Sequence, residues 1–435
     1  MPLLSVLAYN ARAAVSGAVG VLMFIIPAGP GPTVALGGGG LEDHQASAVR
    51  PPASTRVVQS TGLFAVACVA AESCTAGGAF GAAGRPLKPM VAAQAHGRWN
   101  RAIPLLLPAN AAEQPYAQVS GIACRNAGNC VAVGNYQYGR SGNPQAFIAT
   151  ESHGAWARAF APGLPANAAT PASAQFEAIA CTGNGSCEAV GSYQDSSGNG
   201  QTMVLARSPS GHWGPATEIA SPPNAAANPD ALMTGITCTA PGACVAVGNY
   251  SVSASQFAPM GAVEVRGAWR RATEITVPRG AIPSTFTAIT SISCPADSQC
   301  LGVGQYAASA TQSRAMAVTE SGGRFGRAVP ITAVPQGGSQ HSSTYLLGVS
   351  CRPSGICLAV GGGRNSAGHS VAMYMTLSAG HWHAAFLPAP AGATAGRRQL
   401  SALFSVSCTG RARCSAVGYY QDRFGVTHAE AASTS

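Results

Sequence analysis

Residues 119–136, VSGIACRNAGNCVAVGNY, contain the unit from which the fold of this 435-residue chain can be predicted. Two short apolar segments flank five turn-forming residues, and Cys124 and Cys130 stand where the segments meet the turn. All fourteen cysteines fall into seven such pairs: Cys68–Cys74, Cys124–Cys130, Cys181–Cys187, Cys238–Cys244, Cys294–Cys300, Cys351–Cys357 and Cys408–Cys414. The pairs recur every 56 or 57 residues. This period indicates one structural unit copied seven times.

Each unit contains the pattern of four short strands. After the two strands around Cys124 and Cys130, a third is predicted at 146–150, and a Gly-containing turn opens a fourth at Trp156. Five copies carry Gly-x-Trp-x-x-Ala at this turn, and a sixth has Phe325 in place of the Trp. Four-stranded units that repeat radially predict an all-β, seven-bladed β-propeller, because one blade cannot bury its own faces. A β-solenoid and a linear array of small disulfide modules are the alternatives.

The ends of the chain predict how the ring closes. The sequence contains seven cysteine hairpins but only six copies of the aromatic fourth strand, because the last repeat reaches Ser435 before its fourth strand. Residues 42–50 lie one period before the first such strand. We therefore expect residues 42–50 to form the outer strand of the last blade, which would remove an exposed sheet edge. The alternative is an unstructured linker.

The cysteine pairs predict seven hairpin disulfides. Each pair would face across a hairpin at disulfide distance, and the small loop that it closes suggests about 2 kcal/mol of stabilisation. Zinc is the alternative, but it needs four ligands and each unit offers only two thiolates. His381 and His383 flank Trp382 and form another candidate pair. We expect no metal and no cofactor.

The N-terminal residues predict export. Arg12 precedes an apolar run, Ala13 to Ile26, that is too short to span a bilayer, and Thr33-Val34-Ala35 suits cleavage. We expect residues 1–35 to be a signal peptide and residues 36–435 to form a single propeller domain. The mature protein would be secreted or cell-wall associated, without a membrane span, and monomeric. A retained N-terminal anchor is the alternative.

The net charge is +9, from one lysine and twenty-four arginines against sixteen acidic residues. The arginines are scattered along the chain, which favours a generally basic surface over a specific nucleic-acid site.

The repeat resembles the Asp-box (BNR-type) propellers, which include sialidase-like proteins and photosystem assembly-factor propellers. Residues 150–156, TESHGAW, keep the Gly and Trp of the Asp-box and lack its Asp. The cysteine-paired hairpins resemble those of uncharacterised secreted propellers of high-GC bacteria. For a sialidase, the resemblance implies an arginine cluster, a Tyr–Glu pair and an Asp acid, and none of these sits in a distinctive motif here.

One series of residues predicts a binding face. In six of the seven repeats, an aromatic residue lies six positions after the second cysteine, and in the seventh repeat Gly363 stands there. In three repeats a Gln follows the aromatic residue directly. The residues of this rim are Phe80, Tyr136, Gln137, Tyr193, Gln194, Tyr250, Tyr306, Tyr420 and Gln421. We predict that this rim binds a cell-wall glycan or an extracellular protein without catalysis. Alternatively, each Tyr seals the space between two blades.

The other functional hypothesis is a glycoside hydrolase or lyase that acts on extracellular polysaccharide. Such an enzyme needs a pair of carboxyl groups. Glu113, Glu177 and Asp230 lie in segments between blades and are its candidates.

Overall fold

The structure is a computed structural model that describes residues 47–53, 59–82, 86–139, 142–296, 299–339, 341–390, 393, 400–409 and 413–434. These residues form seven antiparallel sheets, six of strands that follow one another in the chain and a seventh in which the N-terminal strand pairs with the last strand. The first strand of each sheet packs against the first strand of the next, and the seventh packs against the first. The predicted seven-bladed β-propeller is therefore confirmed.

The blades are numbered along the chain, and each is given by its successive strands. Blade 1 comprises Gln59–Ala70, Ser73–Ala82, Lys88–Ala95, Arg98–Trp99 and Ile103–Pro104. Blade 2 comprises Gln118–Asn126, Asn129–Tyr138, Asn143–Ser152 and Ala155–Trp156. Blade 3 comprises Ala174–Cys181, Cys187–Gln194, Gly200–Arg207 and Thr217–Glu218. Blade 4 comprises Leu232–Ala240, Ala243–Ser253, Gln256–Val265, Ala268–Trp269 and Thr273–Glu274.

The remaining three blades follow the same plan. Blade 5 comprises Ala288–Ala296, Gln299–Ser309, Gln312–Ser321, Arg324–Phe325 and Val329–Pro330. Blade 6 comprises Thr344–Cys351, Cys357–Arg364, Ser370–Ser378 and His381–Phe386. Blade 7 comprises Ser401–Thr409, Arg413–Gln421 and Thr427–Ser433, and its outer strand is Ser47–Ala48. The part of the chain described contains no helix that could cross a membrane.

The ring closes through the N-terminal segment, as predicted. Ser47 pairs with Ala431 and Ala48 pairs with Glu430. The Val49 amide then donates to the Ala429 carbonyl at 3.1 Å. Residues 42–46 of the predicted strand and the predicted signal peptide, residues 1–35, lie outside the described residues.

The seven predicted disulfides are all present, with Cα–Cα distances of 3.9 to 4.1 Å. The turn into the outer strand contacts the same hairpin, because the Gly154 amide donates to the Gly128 carbonyl at 2.9 Å. We call this side of the ring the disulfide face. The loops between second and third strands and the connections between blades lie on the opposite side, the loop face.

The second strand of each blade contains a glycine for a steric reason. A β-bulge in each first strand brings a backbone carbonyl against it, and a Cβ on Gly248 would lie 1.9 Å from the Leu232 oxygen. The same holds, at 1.9 to 2.0 Å, throughout the ring: Gly78, Gly134, Gly191, Gly248, Gly304, Gly361 and Gly418. The repeated glycine is thus required by the bulge rather than by a turn.

The outer strand differs from the prediction, because in blades 1, 4 and 5 it is split into two short pieces. Between the pieces the chain bonds to the preceding blade: the Ala102 amide donates to the Arg50 carbonyl at 2.9 Å, and Arg101 Nη1 donates to the Pro51 carbonyl at 3.1 Å. Arg158, Arg271 and Arg327 make the equivalent bond in their blades. Four arginines assigned from the sequence to a general basic surface therefore connect neighbouring blades.

Candidate functional site

The aromatic residues of the predicted rim lie between blades rather than on the surface. Each belongs to the second strand of its blade near the loop face, and none is more than 6% exposed: Phe80, Tyr136, Tyr193, Tyr250, Tyr306 and Tyr420. Tyr193 packs in the cluster between blades 2 and 3, and Tyr250 in the cluster between blades 3 and 4. Their ring faces are therefore covered by protein, as the alternative interpretation expects.

Three of the tyrosine hydroxyl groups hold the connections between blades. Tyr136, Tyr193 and Tyr250 each bond an Asn Oδ1 of the connection that precedes their blade, at 2.7 to 2.9 Å. Those partners are Asn110, Asn167 and Asn224, each two residues after a Pro, a signal that was visible in the sequence. In blade 3, Glu218 Oε2 also lies 2.7 Å from the Tyr193 hydroxyl. Burial and this carboxylate raise the pKa of Tyr193.

The rim glutamines are half-buried and remain on the loop face. Gln194 Nε2 donates to the Gly198 carbonyl at 3.1 Å, and Gln421 Nε2 donates to the Gly425 carbonyl at 2.9 Å. Each glutamine thus braces the loop that follows its own strand. Gln137, in blade 2, bonds the neighbouring connection through its backbone. The predicted role of these residues in ligand binding stays a prediction.

A polar pocket of about 230 Å³ opens beside Tyr193, where blade 3 meets blades 2 and 4. Gln175, Gln194, Asn228 and Asp230 line it together with Tyr193. With Ser173 and Ser192, the pocket therefore combines amide groups, hydroxyl groups and one carboxyl group on the loop face. Of these residues, Tyr193, Gln194 and Asp230 were candidates from the sequence, whereas Gln175 and Asn228 were not.

Asp230 is held in an unusual position in this pocket. Its φ of 42° is in the left-handed region, which disfavours residues other than Gly, Asn and Asp. Asn228 Oδ1 fixes the turn by accepting the amides of Gly200 at 3.0 Å and Asp230 at 3.1 Å. Burial raises the pKa of Asp230 to about 6. A half-buried carboxyl group on a constrained turn can both accept and donate hydrogen bonds near neutral pH.

The other two carboxylates predicted for an enzyme lie elsewhere. Glu113 is exposed on the connection between blades 1 and 2. Glu177 occupies the bulge of the first strand of blade 3, where Thr234 and Thr290 stand in blades 4 and 5 and bond the next blade. Its Oε1 is inaccessible and has no hydrogen-bond partner among the described residues. Burial raises the pKa of Glu177 to about 7.

A pair of carboxyl groups that the sequence did not reveal lies between blades 3 and 4 toward the disulfide face. Glu188 and Glu264 are buried and hydrogen-bonded to each other, and Trp269 Nε1 donates to Glu188 Oε2 at 2.8 Å. Burial and the neighbouring carboxyl group raise the pKa of Glu188, which favours one proton held between the two groups. Cys244 Sγ is adjacent, but its disulfide leaves no thiolate for a metal.

The two histidines considered as metal ligands, His381 and His383, lie on the outer strand of blade 6 and are exposed. Among the described residues, the only grouping of three metal-ligand side chains is the one that contains the disulfide-bonded Cys244.

No protein-family model matches the chain, and no curated protein matches it. Solved structures are similar to it at low identity. A protein of unknown function from Dyadobacter fermentans has a TM-score of 0.49 and 8% identity over 90% of this chain and 98% of that chain. Trypanosoma rangeli sialidase has a TM-score of 0.46 and 9% identity over 90% of this chain and 59% of that chain. The Hadza microbial sialidase Hz136 has a TM-score of 0.40 and 11% identity over 76% of this chain and 66% of that chain. The structural neighbours of the chain therefore include sialidases.

Proposed function

We propose that the protein is an extracellular binding protein that recognises a cell-wall glycan through the pocket on its loop face between blades 2, 3 and 4. The seven disulfides support an oxidising, extracellular location, because such bonds persist in few other compartments. The stapled blades provide a rigid frame for a binding site.

The observation that carries this proposal is the composition of the pocket. Gln175, Gln194 and Asn228 offer amide donors and acceptors, Ser173 and Ser192 offer hydroxyl groups, and Asp230 offers a carboxyl group, and all of them line one cavity. Sugar hydroxyl groups are both donors and acceptors, so they match such a mixed set better than an apolar or singly charged pocket would. A binding role also needs only the single carboxyl group that the described lining contains.

A glycoside hydrolase is the second candidate, and Asp230 is the observation that favours it. A carboxyl group with a pKa of about 6 can serve as a general acid near neutral pH. The enzyme would also need a second carboxyl group within about 5 to 10 Å. Of the carboxylates predicted from the sequence, Glu177 lies on the first strand of blade 3 and is not among the described residues that line the pocket.

The test is a screen of soluble and immobilised cell-wall glycans against the mature protein, with release of reducing ends measured in the same wells. We expect binding without turnover. Gln194→Ala should weaken the affinity by about 10-fold, the value of one good hydrogen bond. Gln421→Ala is the matched control, because it removes the same loop brace in blade 7, outside the pocket.

Two results would count against the proposal. Equal affinity of wild type, Gln194→Ala and Asp230→Asn would place binding elsewhere on the ring. Release of reducing ends by wild type that Asp230→Asn abolishes would instead support the hydrolase, since Asn keeps the backbone conformation and removes the acid.

A further inference from the structure

The turn that carries Asp230 also occurs before blade 2, where a different residue occupies it. Tyr116 follows Pro115 as Asp230 follows Pro229, and the two residues have left-handed φ values of 36° and 42°. In both connections the carbonyl group of this Pro accepts an amide from the second strand of the next blade, at 2.5 Å and 2.6 Å. Tyr116 is 43% exposed, so the turn accepts a large neutral side chain. The fold therefore does not require a carboxyl group at Asp230.

The carboxyl group of Asp230 is not neutralised by the protein around it. The described residues offer it neither a hydrogen bond nor an ion pair. The described lining of the pocket contains no Arg, Lys or His, so Asp230 is the only group there that ionises near neutral pH. Its Oδ1 lies against Gly200, where an added Cβ would be 3.0 Å away. Because a half-buried anion without a partner is unfavourable, a ligand that brings a positive charge to it is favoured.

The groups around Asp230 suit an ammonium group that is carried on a sugar. Asn228 uses its Oδ1 in the turn, and Gln194 uses its Nε2 to brace its own loop. Asn228 Nδ2 can therefore donate to a sugar hydroxyl, and Gln194 Oε1 can accept from one. Ser173 and Ser192 add hydroxyl groups to the same lining. A calcium ion is disfavoured, because it takes about six to eight oxygen ligands and the described lining supplies a single carboxylate.

We propose that the pocket between blades 2, 3 and 4 binds a glycan with a free amino group, whose ammonium group pairs with the Asp230 carboxylate while Gln194 and Asn228 bind neighbouring hydroxyl groups. This inference rests on the glycan-binding function proposed above and adds the chemical class of the ligand. The chain has a formal net charge of +9, so long-range electrostatics oppose a cationic glycan. Its binding would therefore depend on the local carboxylate.

The test is isothermal titration calorimetry of the whole protein at pH 6.5 with three tetrasaccharides. They share the β-1,4 linkage and differ at C2, with the free amine of glucosamine, the amide of N-acetylglucosamine or the hydroxyl of glucose. Sodium chloride at about 0.15 M screens repulsion by the net charge. We expect the glucosamine tetrasaccharide to bind at least about 10-fold more tightly than the glucose tetrasaccharide, because hydrogen bonds between ionised groups are roughly twice as strong as neutral ones. The acetylated sugar should not show this gain, because it carries no charge.

Asp230→Asn removes the charge and keeps the shape of the side chain. Asn also tolerates a left-handed φ, so we expect the variant to fold with the wild-type Tm. It should bind the glucosamine tetrasaccharide at least about 10-fold more weakly, with little change for the glucose tetrasaccharide. Glu113→Gln is the matched control, because it removes an exposed carboxylate outside the pocket and should leave both affinities unchanged. If Asp230→Asn does not fold, the order of the three wild-type affinities still decides the outcome.

Two results would overturn the inference and leave the proposed function in place. One is equal affinity of wild type for the glucosamine and glucose tetrasaccharides, and the other is a preference for the amine that Asp230→Asn retains. If wild type binds none of the three tetrasaccharides, the inference is also overturned, and the screen of cell-wall glycans then decides the proposed function separately.

A fourth ligand distinguishes an amino sugar from a basic peptide. The blocked tripeptide Gly-Lys-Gly carries an ammonium group without the sugar hydroxyl groups. Weaker binding of the tripeptide than of the glucosamine tetrasaccharide supports the glycan. Tighter binding of the tripeptide, lost in Asp230→Asn, would assign the pocket to a protein ligand and overturn the inference.

Discussion

Glu430 should lower the free energy of unfolding by several kcal/mol, and the substitution Glu430→Met should restore most of this stability. In each blade the residue paired with the repeat glycine of the second strand is fully buried, and in six blades it is apolar: Met90, Phe147, Met203, Met260, Met316 and Met373. In blade 7, Glu430 occupies this position, opposite Gly418. Neither of its carboxyl oxygens has a hydrogen-bond partner among the described residues.

The size of the effect follows from the titration of this carboxyl group. Burial raises the pKa of Glu430 from 4.5 to about 8. The folded state therefore binds the proton more tightly than the unfolded chain, and stability falls as the pH rises from about 4.5 to about 8. At about 1.4 kcal/mol per unit, the loss is about 1 kcal/mol at pH 5 and about 3 kcal/mol at pH 7. Burial of a neutral carboxyl group without a partner adds about 1 to 3 kcal/mol at every pH.

The assay is denaturant unfolding of wild type and Glu430→Met at pH 5, 7 and 8.5, followed by tryptophan fluorescence. We expect Glu430→Met to raise the free energy of unfolding at every pH, with a gain about 2 kcal/mol larger at pH 7 than at pH 5. Glu430→Gln is the matched control, since it keeps the shape and the unpaired polar atoms and removes the titration. A gain that is the same at all three pH values, or a loss of stability, would refute the account of a buried carboxyl group.

Two other predictions concern the fold and the shared proton. Gly248→Ala should lower the free energy of unfolding, measured in urea, by at least about 3 kcal/mol, because its Cβ would overlap the Leu232 carbonyl. The control is Gly183→Ala, which has no atom within 4 Å of its Cβ and should change the free energy of unfolding by less than about 0.5 kcal/mol. Burial raises the pKa of both Glu188 and Glu264, so the stability that this pair provides is lost as the pH rises above 4.5. Glu188→Gln should therefore make unfolding less dependent on pH between 5 and 8, and an unchanged slope would show that the pair does not share a proton.

The architecture could be predicted from the sequence because one strong constraint recurs in it. Seven cysteine pairs at a fixed step give both the number of blades and the position of each strand within its repeat. These positions show that the last repeat lacks an outer strand, which Ser47–Ala48 supplies. The repeated glycine was visible too, but its cause was not. Only the bulge of the neighbouring strand shows that a carbonyl occupies the space of its Cβ.

The candidate site was harder to predict, because a period shows which residues are equivalent and not which way they point. Tyr193 and Gln194 are adjacent in the chain, yet the first is buried between blades and the second lies on the loop face. Asp230 could be identified from the sequence as a carboxylate between blades. Its position in the pocket could not be predicted, because Asn228, which holds its turn, also accepts a hydrogen bond from the amide of Gly200 in another blade. Contacts between blades bring together residues about one period apart, and no local pattern records them.

In a ring of near-identical blades, the positions that break the repeat carry the most information about function. A residue shared by all seven blades, such as the glycine at Gly248, is explained by the fold that all seven share. Gly363 and Glu430 have no such explanation, because each replaces a large apolar or aromatic core side chain at a site where that side chain fits six times elsewhere. Gly363 leaves blade 6 without the aromatic side chain that the other six blades carry, and Glu430 places a costly carboxyl group beside Ala48, at the seam where the ring closes. If Glu430→Met stabilises the protein as calculated, the seam is weaker than the other blade interfaces. The ring would then open there first as the pH rises, and hydrogen exchange of the Val49 amide should increase before that of the amides in blades 2 to 4.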